Sequence, residues 1–111
     1  MRDIYLSRLR TKGDRGAFFE ADDESAYFYL VDMAEVEGEK VRNAIYLNRV
    51  PFEQEDKNLR IRVAENQSAI GLFRGNTLLA AFELDTEEAF TPGESEDEIL
   101  TPPSWVLSLG S

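Results

Sequence analysis

The chain has 111 residues, with 22 Asp and Glu against 12 Lys and Arg, a formal charge of −10. It contains no histidine and no cysteine, which excludes disulfides, thiolate chemistry, zinc–thiolate sites and imidazole acid–base catalysis. An apolar fraction of 42% supports one packed core, and the acid excess argues against binding a phosphate backbone, which needs a Lys/Arg surface.

Residues 2–10 read as a strand, with Ile4 and Leu6 on one face and Tyr5 and Leu9 on the other. No apolar leader precedes it, and no apolar run approaches the ~20 residues that span a bilayer, so a cytoplasmic chain is expected. Residues 12–16 (KGDRG) form a turn, and Ala17-Phe18-Phe19-Glu20 starts a second strand. The acidic knot Asp22-Asp23-Glu24-Ser25 reads as the tight turn of a hairpin. Its return strand is Ala26 to Val31, apolar on both faces and therefore central.

A polar loop covers 34–40. Residues 41–50 are ambiguous: Val41, Ile45 and Asn48 fit helical spacing, Ile45 and Leu47 strand alternation; a strand, with room for one helical turn before it, is expected, and Pro51 ends the segment. A second acidic loop covers 53–58. Leu59, Ile61 and Val63 alternate with Arg60 and Arg62, a strand with one wet face. Residues 68–74 and 77–84 form two more strands around a Gly75-Asn76 turn, which completes a meander. Gly71 within its strand signals a bulge or a close backbone approach. From Asp85 the alternation stops, and 85–104 reads as an acidic, Pro-containing loop. Residues 105–109 return as an edge strand or simply pack Trp105 on the sheet. The expectation is a single domain over 1–111, mainly antiparallel β, with about seven strands in a curved sheet or small sandwich and little helix.

Carboxylates are the only strong bases present. A pair such as Glu20 with Asp32 has glycosidase chemistry in principle, although acids at loops and strand edges are normally solvated. The serines have no His partner and no Gly-x-Ser-x-Gly elbow. The 20–24 run lacks calcium-loop spacing, and the glycines form no phosphate-binding pattern, so no metal and no cofactor is expected. Charge is unevenly placed. Arg2, Arg8, Arg10, Lys12 and Arg15 make the start basic, while eight acids and no base lie between Glu83 and Glu98.

The run Phe18 to Asp32, with its F-x-x-D-D turn followed by Tyr27-Phe28-Tyr29, resembles the hairpin signature of a small bacterial family of uncharacterised domains. Residues 44–47 are similar to the family's next element, and 68–73 with 79–84 to its closing hairpin, so the resemblance spans roughly residues 17–90. Before Ser68 the chain departs from it. Val63-Ala64-Glu65-Asn66-Gln67 stands where the family has a tryptophan–acid–aspartate–glycine turn. The resemblance implies a fold and no activity. Small acidic domains of this kind include bacterial immunity proteins, an analogy only.

The expected function is non-catalytic: an immunity-type protein that binds a basic toxin or nuclease and occludes its active site, without direct nucleic-acid or membrane binding. The expected partner-binding residues are Asp22, Asp23 and Glu24, with Tyr27 and Tyr29 as aromatic anchors, and Glu94, Glu96, Asp97 and Glu98 as a second acidic tract. The competing expectations are a phage-encoded nucleic-acid mimic of the anti-CRISPR kind, a carboxylate-only enzyme, and a homo-oligomer built on a strand edge.

Overall fold

The alternating segments fold into two four-stranded antiparallel sheets stacked face to face. The computed structural model describes residues 4–22, 25–34, 38, 40–47, 58–92 and 103–110. The first sheet runs in sequence order through β1 (Ile4–Leu9), β2 (Arg15–Ala21), β3 (Ala26–Asp32) and β4 (Val41–Tyr46). The second runs through β5 (Leu59–Val63), β6 (Ala69–Arg74), β7 (Thr77–Glu83) and β8 (Ala89–Phe90). A one-turn helix, α1 (Ser104–Leu107), continues into a 3-10 turn at Ser108–Gly110.

Register lines the inner face of the first sheet into cross-strand rows. One row is Leu6, Phe19, Phe28 and Ile45; on one side of it lie Ile4, Ala21 and Ala26. These side chains meet Leu59, Ile61, Ile70, Leu72, Phe82 and Leu84 of the second sheet in one core. At its centre Phe28 stacks on Phe82 across the interlayer, with ring centroids 5.1 Å apart. On the other side of the Phe19–Phe28 row lie Arg8, Ala17, Leu30 and Asn43. Its two polar ends reach across to the second sheet. Arg8 donates to the Ile61 carbonyl at 3.2 Å, and Asn43 donates to the Glu87 carbonyl at 2.8 Å.

The outer face of the second sheet is covered by the chain's own C-terminal turn. Val106 and Leu109 are buried while Leu107 is 63% exposed, which is helical spacing. Leu109 and Trp105 pack on Ala69, Phe73, Leu78 and Ala81. A Cβ on Gly71 would meet the side chains of Leu109 and Leu78 at 3.0 Å, so this glycine is the floor on which the turn rests. The pairing of β6 with β7 also slips one position on, between Leu72 and Phe73.

Of the two readings of residues 105–109, the packing of Trp105 on the sheet holds and the edge strand does not: the segment is helical, because a strand would put Leu107 and Leu109 on the same side of the sheet. One expectation changes. The 85–104 segment is not loop throughout, since a turn containing Glu87 at φ 67° returns the chain as β8, the eighth strand. Two paired residues are too few to carry a period. The 41–46 segment is strand.

Basic residues from the start of the chain tie the two sheets together along one seam. Arg10 holds both carboxylate oxygens of Asp14 at 2.8 Å and reaches Asp85 at 3.0 Å. Arg15 donates to the Leu84 carbonyl and pairs with Asp32 and, at 3.7 Å, with Glu87. Arg42 donates to Glu87 at 2.9 Å. The Arg10 guanidinium holds the Asp14 carboxyl well below the usual carboxylate range.

Phe28→Ala removes the centre of the interlayer and should cost about 3–5 kcal/mol in urea unfolding. The seam gives a second expected outcome. A carboxyl whose folded pKa lies below its unfolded value contributes stability above the unfolded value, near ~4, and loses it as pH falls. Asp14→Asn should therefore melt below the parent protein at neutral pH, with the gap narrowing from about pH 5 towards about pH 2. A gap independent of pH would remove the Arg10–Asp14 pair from this role.

Candidate binding face of the first sheet

Strand alternation that buries Phe19 and Phe28 turns Phe18, Tyr27 and Tyr29 the other way. The outer face of the first sheet thus carries three cross-strand rows. The first is Tyr5, Glu20, Tyr27 and Tyr46; the second is Ser7, Phe18, Tyr29 and Ala44; the third is Leu9, Gly16, Val31 and Val41. Five rings form a continuous ladder across the four strands. Centroid separations are 6.1 Å for Tyr5–Phe18, 6.5 Å for Phe18–Tyr29, 5.7 Å for Tyr29–Tyr27 and 4.9 Å for Tyr27–Tyr46. The last two pairs are stacked, which suits aromatic quadrupoles when the rings are offset.

Tyr5 is 58% exposed and Tyr46 51%, and Leu9, Met33 and Val41 are exposed beside them. Five of the six large hydrophobic side chains exposed among the described residues therefore belong to this face or its rim. Past Phe18 and Tyr29 the surface sinks into an apolar recess of about 360 Å³, lined also by Leu9, Val31, Met33 and Val41. Ser7 adds little bulk to the recess, and Gly16 lies between Leu9 and Val31 in the third row. Gly16 has no alternative, because a Cβ there would run into the Arg8 carbonyl and the Leu9 backbone of the paired strand.

Glu20 is the only formal charge in the three rows, which contain no Lys or Arg. It faces Tyr5 on one neighbouring strand and Tyr27 on the other, and accepts the Tyr29 hydroxyl at 2.9 Å. Desolvation, then the Glu20 carboxylate, pushes the Tyr29 phenol up to about 12. A smaller polar notch of about 90 Å³ opens beside Glu20, lined by Tyr5, Ala21, Asp22 and Ser25. Asp22 closes the β2–β3 turn, accepting the Ser25 backbone N–H at 2.8 Å.

Of the residues expected to bind a partner, Tyr27 and Tyr29 lie on this face and Asp22 at its rim. Asp23, Glu24, Glu94, Glu96, Asp97 and Glu98 lie outside the described residues. The front half of the acidic run has a different task. Asp85 and Glu87 hold the arginine seam, Glu83 accepts the Asp85 backbone N–H at 2.7 Å, and Glu88 accepts the Trp105 indole at 3.2 Å. Sequence reasoning missed Tyr5, Phe18, Tyr46 and the aliphatic third row. Their signal was available in the alternation of β1 and β2, but only with the register does it become a surface.

Glu20 and Asp32 do not form a carboxylate pair. Glu20 lies opposite Tyr27 and Asp32 opposite Arg15, five positions along β2, or about 17 Å. Glycosidic chemistry needs carboxyl groups within about 10 Å. Among the described residues no three Asp or Glu side chains gather into a group fit for a metal ion, and no helix is long and apolar enough to cross a membrane. Comparison with protein-family models, curated protein sequences and solved structures found no match.

Spectrophotometric titration of the tyrosines should show one phenol ionising near 12. Glu20→Gln should bring that step down, and an unchanged titration would remove the Glu20–Tyr29 contact from the face in solution.

Proposed function

We propose that this protein is a non-catalytic binding module that docks a basic protein through the outer face of its first sheet. In the specific form we favour, it is an immunity-type inhibitor that occludes the active site of a cationic bacterial toxin. The observation that carries the reading is the five-ring ladder with its adjoining recess, on three described rows without a cation, in a chain of charge −10.

Three physical arguments support it. Tyrosine-rich patches with an apolar pocket supply large contact area at low side-chain entropy cost, the chemistry of protein–protein hot spots. Net negative charge steers a basic partner and speeds encounter. Aromatic sheet faces also stack nucleic-acid bases, but such sites combine the rings with a cationic track for the backbone, which these rows lack. A nucleic-acid mimic needs free carboxylates at phosphate-like intervals. The described acids between Glu83 and Glu88 are instead tied to arginines, an indole and a backbone N–H.

The test is affinity capture on the immobilised protein from a lysate of its source organism at low and high salt. The expected result is one basic protein, bound stoichiometrically and released as salt rises, whose own activity falls to zero at a 1:1 ratio. Tyr27→Ser combined with Tyr46→Ser should abolish capture, while Leu107→Ser, on the opposite layer, should leave it intact. Capture that survives the double substitution, or an absence of any basic partner, would overturn the proposal.

A further inference from the structure

We infer that the partner presents a guanidinium or ammonium side chain to Glu20 and, about 13 Å away, an apolar side chain to the recess, so that the face reads a cation and a hydrophobe at its two ends. This rests on the docking reading above and adds the chemistry of what docks.

The face is graded along the strands. The row through Glu20 is three tyrosines and one carboxylate; the row through Gly16, four residues along β2, is wholly aliphatic apart from the glycine. At the first end, Glu20 sits between Tyr5 and Tyr27 at the same register, about 5 Å away on either side by strand geometry. Tyr29 binds only its Oε1 atom in this arrangement, and a carboxylate accepts several hydrogen bonds. The Glu20 and Asp22 side chains share the walls of the polar notch with the Tyr5 ring. A carboxylate flanked by tyrosines suits a cation twice over: by charge-assisted hydrogen bonding and by attraction to the ring quadrupoles. A neutral donor gains only the hydrogen bond, and an anionic side chain gains neither.

At the second end, Leu9, Val31, Met33 and Val41 make a mainly apolar recess without a charged group, in which Ser7 and Tyr29 supply the hydroxyls. An aliphatic or aromatic side chain fits it, whereas a charged one would lose water with no opposite charge to replace it. In an extended segment, residues i and i+4 lie on the same side about 13 Å apart, which matches the separation of the two ends. A strand or loop of a basic protein laid along β2 and β3 meets both.

The site can be tested without the natural partner. Isotope-labelled protein is titrated with the acetylated, amidated peptide Arg-Gly-Ser-Gly-Leu, following tyrosine ring and methyl resonances. Shifts should concentrate at Tyr5 and Tyr27 and at the Val31 and Val41 methyls. Citrulline in place of the peptide arginine should sharply weaken the first set, and alanine in place of its leucine the second. Glu20→Gln keeps an acceptor for Tyr29 and should fold normally, yet bind the arginine peptide about tenfold more weakly. No shifts at millimolar peptide, shifts spread over the seam at Asp85 and Glu87, or indifference to citrulline and to Glu20→Gln would each overturn the inference. If the peptide binds as expected but capture yields no basic protein, the docking function fails while the two-ended site stands. If a basic protein is captured through the tyrosines but Glu20→Gln leaves its affinity unchanged, the function stands and the cation seat fails.

Discussion

Stacking of Phe28 on Phe82 at the centre of the interlayer commits the alternate residues of both sheets to face one another. Everything outside the core follows from that commitment. Because a strand's side chains alternate with period two, burying Phe19, Phe28 and Leu30 obliges Phe18, Tyr27, Tyr29 and Val31 to point outward. Two stacked sheets bury two of four faces and leave two. The second sheet resolves its outer face within the chain, by laying Leu109 over Gly71 and packing Trp105 beside it. The first sheet keeps a row of aromatic rings at its surface. An exposed apolar surface of this continuity is the normal sign of an interaction site.

Charge in this chain divides between holding and presenting. The arginines of the first four strands turn towards the second sheet, where carbonyls and the acids at 85 and 87 receive them. The basic start and the acids at 85 and 87 therefore complement one another inside the molecule. With those cations held at the seam, the three described rows of the tyrosine face carry Glu20 as their only charge. The seam and the cation-free rows around the rings are thus two results of one placement of arginines. Within the acidic run, Asp85 and Glu87 act as clamps between the sheets.

Legibility varied with the length of each local signal. Strands β2, β3, β5, β6 and β7 span five to seven residues and announce themselves by alternation or by continuous β-branched and aromatic composition. The Gly75 turn, at φ 61°, was readable because its backbone conformation favours glycine. Strand β8 was not, since two residues show no period. The terminal helix is a single turn, too short to form without the sheet beneath it, so its sequence carries little helical preference of its own. Tyr27 and Tyr29 were recognisable as outward aromatics from their strand. Tyr5, Phe18 and Tyr46 were not, because what makes them a site is adjacency across strands, and register is a long-range property.

What the amino-acid order determined by itself was the chemistry available: an acidic chain with no imidazole or thiol, rich in aromatic β-formers, and alternating closely enough to build paired strands. Those are local properties, set by side-chain type and by period. Only the tertiary structure decided which acids are clamps, which aromatics line up, and which sheet face is covered by the chain's own end. Each of these depends on residues far apart in sequence arriving side by side, as Arg10 does with Asp85 and Tyr27 with Tyr46. Pairing and layer stacking are chosen by the sum of burial over the whole core, and no single segment carries that sum.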